Sequence, residues 1–198
     1  MHGCVGEMKS PVFAVIDGLS ELENDLKWEE ARALLYELWN ADRENIDLFL
    51  RLFSECWYVL CEWDAVVDAK GLSWDIFQDT LIECTTYGLA HFGKETRFLW
   101  AGGYMIALFP DLFYRGEGLD KKDIDALYLE WESKAYEMSE LAGRQDPDDP
   151  LIRYYYVRLP SVLARGIDEY KEAKRRLVPL LGQYFPGDTA IEEYFRDI

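Results

Sequence analysis

The sequence predicts an all-α protein, a set of antiparallel helical hairpins stacked as a short α-solenoid of about seven to eight helices. Three observations predict it. The stretch from Asn45 to Ala69, NIDLFLRLFSECWYVLCEWDAVVDA, carries Leu48, Phe49, Leu52, Phe53, Cys56, Trp57, Leu60, Trp63, Val66 and Val67 at helical spacing. That apolar stripe is wider than a surface helix needs, so neighbours must cover it on more than one side. Elsewhere, apolar runs of helical period are separated by Gly-, Pro- and Asp-rich breaks. No run alternates with period two for long enough to make a strand. Arg51, Glu55, Glu62, Asp64 and Asp68 interrupt the central stripe too often for a membrane span.

In chain order, residues 1–10 are expected to be a mobile lead-in and PVFAVIDGL (11–19) a short apolar entry. Ser20 opens the first helix with a capping box to Glu23, and Leu22, Leu26, Ala31, Leu34, Leu35 and Leu38 suit one face through Trp39. Residues 40–44 form a polar turn. The central helix follows, stopped at Lys70-Gly71. Ser73 caps a third helix over 74–92 that closes at Gly93, and 94–109 makes a fourth. Within the fourth, Gly102-Gly103 allows another backbone to come close. Pro110 ends that helix, and Asp120 caps a fifth that stops at Gly143. After the DPDDP break (146–150), helices over 151–165 and 167–185 are interrupted at Pro160 and Pro179. Thr189 and Glu192 then box the start of a last short helix. An offset of 39 residues superposes Gly143 on Gly182, Ile152 on Ile191 and Tyr155 on Tyr194, close to one helical-hairpin repeat.

With 198 residues, about half of them apolar, the chain suits one folded domain. Its formal charge of −17 argues against nucleic acid and anionic membranes as partners and towards basic ones. The charge is uneven. Residues 1–150 hold 13 basic and 31 acidic side chains, a balance of −18, while residues 151–198 hold 8 and 7, a balance of +1. Cys4, Cys56, Cys61 and Cys84 show no disulfide-framework spacing, which with the lack of a secretory leader predicts reduced thiols in the cytoplasm.

Reactive chemistry finds little support. His2 lies in the terminal lead-in and His91 ends a helix, where a histidine is most often a favourable charge or a packed ring. An enzymatic reading would need His91 to meet Glu83 or Glu95 in a cleft. No metal is expected, because Cys56/Cys61 and Cys84/His91 lack the close local pairs of a zinc site. Nucleophile elbows and phosphate-cradling glycine loops are absent from the sequence, so neither a catalytic residue nor a cofactor is expected.

The acids form a pattern. Glu23, Glu30 and Glu37 recur every seven residues on the first helix, Glu55 and Glu62 do so on the second, and Asp75, Asp79 and Glu83 recur every four on the third. Near pairs of like charge cost a few tenths of a kcal/mol each. A solvated outer face would explain any single stripe. Three successive stripes collected on one side would instead attract a basic protein and set its orientation. Trp28, Trp39, Trp57, Trp63 and Trp74 lie near them, mostly as core, and an exposed one would serve as a binding anchor.

ETRFLWAGGYMIALFPDLF (95–113), the helix DALYLEWESKAYEMSELAGRQ (125–145) and DPDDPLIRYYYVRL (146–159) together resemble small tetratricopeptide-like helical proteins of bacteria. Some of those are immunity proteins of contact-dependent growth inhibition and other polymorphic toxin systems. Trp100, Gly103 and Tyr104 in a W-x-x-G-Y pattern, with the D-P-D-D-P turn before a helix, carry most of the likeness. It spans about 95–198, whereas 11–93 match only in helical character and the 34-residue consensus period does not hold. The resemblance implies one domain, with acidic helices over 11–93 and a tetratricopeptide-like part over 94–198. It also implies a function: binding and neutralising a cognate toxin domain, a basic nuclease, without catalysis. The acid stripes would form the contact surface. The competing reading is a cytosolic adaptor holding a peptide in an aromatic groove around Tyr87, Trp100 and Tyr104.

Overall fold

From Phe49 to Trp57 every residue of the central helix is buried, Arg51, Ser54 and Glu55 included. This computed structural model describes residues 10–66, 72–158 and 167–197, and there the chain is helical with no strand. The helices are α1 (Leu19–Asn24), α2 (Trp28–Ala41), α3 (Ile46–Cys61), α4 (Trp63–Val66), α5 (Trp74–His91), α6 (Thr96–Leu108), α7 (Lys121–Gln145), α8 (Pro150–Val157), α9 (Ile167–Leu177), α10 (Leu181–Tyr184) and α11 (Ala190–Arg196). Pro110–Phe113 and Val178–Leu180 are 3-10 turns. The chain is thus cut into more and shorter pieces than the seven to eight helices expected.

The central element is α3, as its apolar width requires: α2, α5, α6 and α11 all pack on it. Asn45 starts it, its side chain accepting from the Asp47 and Leu48 backbone N–H groups at 3.1 and 3.2 Å. Phe49 and Phe53 stack on each other and meet Phe98 of α6 edge-on.

Against α6 lies α7, where the two glycines matter as expected. A Cβ built on Gly103 would run into the Ser139 hydroxyl and stand 3.0 Å from the Ala135 carbonyl oxygen and from the Ser139 backbone nitrogen, so α7 comes close where Gly103 has no side chain. The C-terminal part then returns to the N-terminal one. Phe13 packs on Phe185 and Phe195 with ring centroids 5.7 and 5.9 Å apart, and the Val12 N–H donates to the Tyr184 carbonyl at 2.8 Å. Contacts of α11 with α1 and α3 therefore join the two chain ends, beyond the neighbour-to-neighbour packing of a plain hairpin stack.

Several boundaries differ from expectation. No Ser20 box forms; α1 starts under Gly18 at φ 80° with no side-chain cap, and the helix expected to run to Trp39 breaks over Asp25–Lys27, with Leu26 at φ 57°. Glu62 interrupts the central helix. Gly143 does not end α7, which runs on to Gln145 while Gly143 gives room to the Tyr156 ring. Caps at Asp120 and Thr189 form as expected, Thr189 Oγ1 donating to Glu192 at 2.9 Å. The 39-residue repeat is displaced by one: the caps Asp149 and Thr189, and the buried rings Tyr155 and Phe195, are each 40 positions apart. His2, Cys4, the Lys70-Gly71 stop and Pro160 lie outside the described residues.

Candidate functional site

The eight carboxylates expected to make an acidic face fall into three groups. Glu23 and Glu55 leave the face altogether. Both are buried, and Arg51, equally buried, joins them: its guanidinium donates to Glu55 at 2.7 Å and to Glu23. The other oxygen of Glu23 accepts the Ala190 N–H at 2.8 Å, so this side chain ties α1 to α3 and to the start of α11. One guanidinium cannot neutralise two carboxylates out of water. Burial, then the Glu55 charge, push the Glu23 carboxyl up to about 8, and burial also raises Glu55. The cluster holds an extra proton at neutral pH and is a core device, which corrects the expectation for both residues. The period of seven aligned Glu23 with Glu30 and Glu37, but Glu23 lies on the separate α1, and the encirclement of α3 put Glu55 inside.

Asp75, Asp79 and Glu83 on α5 are accessible but already paired. Arg115 reaches back from the turn before α7 to Asp75 at 2.9 Å and Asp79 at 2.6 Å, and it also donates to Gln78 at 2.8 Å. Gln78 in turn donates to the Tyr114 carbonyl at 3.1 Å, pinning the turn on α5. Glu83 accepts from Arg43 at 2.9 Å and from the Tyr36 hydroxyl at 2.8 Å, across the seam between α5 and α2. Glu30 and Glu37 are exposed on α2, Glu62 is half-buried at the end of α3, and none of the three has an ion pair among the described residues. Beside Glu62, Trp63 and Trp74 meet edge-on at 5.2 Å and stay half-buried, with Asp64 and Asp75 next to them in the chain.

His91 does not meet Glu83 or Glu95 in a cleft: it is exposed at the end of α5 and stacks on Tyr87 at 4.1 Å. The residues of the expected aromatic groove are split. Tyr87 lies under Arg43, and Trp100 is buried with Tyr155 stacked on it at 5.0 Å. Tyr104 opens on a cleft whose other walls are Tyr154, Tyr155, Arg158, Tyr170, Tyr194 and Asp197, whereas Trp100 lines a separate one with Val12, Arg97 and Tyr184. The tyrosine run of DPDDPLIRYYYVRL marks the Tyr104 cleft in the sequence, but α9 and α11, which complete it, are far along the chain.

Cys56, Cys61 and Cys84 are free, and burial raises all three thiols, which keeps them protonated and unreactive. Among the described residues no group of three His, Cys, Asp or Glu side chains could hold a metal ion, and no helix is long and apolar enough to cross a membrane. Comparison with known proteins finds no matching family model, no similar curated protein and no similar solved structure.

Proposed function

We propose that this protein is a binding partner with no reaction of its own, which acts in the cytoplasm and neutralises a cognate toxin domain by covering its basic surface. The carrying observation is the carboxylate surplus left on the outside once internal pairs are taken away. Arg115 and Arg43 offset Asp75, Asp79 and Glu83, and Arg51 serves the core, yet 31 acids face 13 bases over residues 1–150. Glu30, Glu37 and Glu62 remain for a partner. Trp63 and Trp74, half-buried among acids, supply the apolar anchors that an electrostatic encounter needs before it becomes tight. The hairpin-stack reading of the C-terminal part and its resemblance to toxin-linked immunity proteins name the toxin domain as that partner.

The test begins with the neighbouring reading frame: if it encodes a large exported protein, the purified protein is paired with that protein's C-terminal domain. The double variant Glu30→Lys/Glu37→Lys should weaken binding at least tenfold and flatten its dependence on salt, and cells carrying it should lose protection. Unchanged affinity and protection would remove α2 from the interface and the charge argument with it.

A further inference from the structure

Where α6, α8, α9 and α11 meet, Arg158 ends α8 with its guanidinium carbon 5.7, 5.4 and 5.8 Å from the ring centroids of Tyr104, Tyr154 and Tyr155. Every other described arginine directs its guanidinium to a carboxylate, a carbonyl or a hydroxyl. The Arg158 side chain alone among these arginines has neither a hydrogen bond nor an ion pair among the described residues. In a chain whose acids outnumber its bases by 38 to 21, an arginine that meets no carboxylate is a placed charge.

The space around it is shaped. Two cavities, of about 200 and about 390 Å³, share Tyr104, Tyr155 and Arg158 as a common wall. The smaller one adds the apolar Ala107 and Leu108. The larger adds the Tyr170 and Tyr194 hydroxyls, with Asp197 at its edge. Arg158 is itself exposed, so with rings on one side its guanidinium stays open to an oxyanion, which its planar fork can match with two parallel hydrogen bonds. Tyrosine hydroxyls add donors. Burial first, then its hydrogen bond with the Tyr104 hydroxyl, raise the Tyr194 hydroxyl well above its ordinary value, so it stays protonated at neutral pH. Most of the larger cavity's lining, Tyr154, Tyr155, Arg158, Tyr170, Tyr194 and Asp197, comes from residues 151–198, which hold 8 bases against 7 acids. Asp197 makes a second anionic group unwelcome.

We propose that this cleft binds a small molecule bearing a single carboxylate or phosphate on an apolar or aromatic body, its oxyanion on Arg158 and its body against Tyr104 and Leu108. The site is independent of the acidic surface, and its failure would leave that reading untouched.

Titration calorimetry of the full chain with phenylacetate, phenyl phosphate, inorganic phosphate and benzyl alcohol tests it. At least one phenyl anion should bind saturably with Kd near or below about 1 mM, at least tenfold tighter than the alcohol and than inorganic phosphate. The tighter of the two anions tells carboxylate from phosphate. Arg158→Gln should abolish the preference for anions and Arg158→Lys should restore part of it, with urea midpoints matching the parent chain. Tyr170→Phe, which keeps the ring and removes one donor, should weaken the anion severalfold and leave the alcohol unaffected. Equal binding of alcohol and anions, the same affinity in a folded Arg158→Gln protein, or no saturable binding of any probe would overturn the proposal.

Discussion

Glu23 lies where a carboxylate and a carboxylic acid have very different free energies. In water the group loses its proton near pH 4.5; in the core, with Glu55 beside it and one Arg51 between them, it keeps the proton to about pH 8. Between those values the folded state holds more protons than the unfolded one. Stability is therefore greatest at the acidic end of that window and falls as pH rises through it. Glu23→Gln mimics the protonated form and should flatten the pH dependence of the urea midpoint between pH 5 and 9 with little loss at pH 5, whereas a parent chain whose stability rises over that range would contradict the burial of the pair. In the sequence Glu55 falls on an acid stripe expected to face a partner, and Arg51 only interrupts the apolar run; that the two pair inside the core comes from the encirclement of α3. Glu23 carried no sign of burial either, because its partners come from residue 51 and residue 190.

At the scale of the element, helix existence was legible and helix ends were less so. Apolar period and side-chain caps are local: the period located α3, α5, α6, α7 and α11, and the expected caps form at Asp120 and Thr189 but not at Ser73, while Asn45 caps α3 unannounced. The break over Asp25–Lys27 and the passage of α7 through Gly143 are not local: Glu23 is drawn into the core in the first case, and the Tyr156 ring fills the space over the glycine in the second. Two glycines put the distinction to a test. Gly103→Ala would place a methyl 3.0 Å from the Ala135 carbonyl, forcing α6 and α7 apart, and should cost about 1–3 kcal/mol despite alanine's better helix propensity. Gly182→Ala meets nothing within 4 Å in α10 and should stabilise by about 0.5–1 kcal/mol. Midpoints from urea unfolding of the two variants should move in opposite directions, and a neutral Gly103→Ala would show that the helices do not touch there.

Across the whole molecule, closure of the chain ends and the acidity act against each other. Phe13, Phe185 and Phe195 draw the first and last described segments together, while a net charge of −17 on a chain of 198 residues resists compaction. Added salt has two opposite effects here. It weakens exposed ion pairs such as Lys121–Asp125 and Arg175–Glu172, each worth well under about 1 kcal/mol, and it screens the repulsion among all the unpaired acids. With 38 acids against 21 bases the second effect dominates, so the thermal midpoint should rise as sodium chloride is raised towards about 0.5 M. Glu30→Lys/Glu37→Lys supplies the control, since each reversal adds two charges and takes the total from −17 to −13. That variant should unfold at a higher temperature than the parent at low salt and respond less to added salt. The same two changes are expected to weaken partner binding, so a protein that becomes more stable as it loses its partner would identify Glu30 and Glu37 as charges kept for recognition at the expense of the fold. A variant that is less stable at low salt would instead make those glutamates part of the fold's own electrostatics.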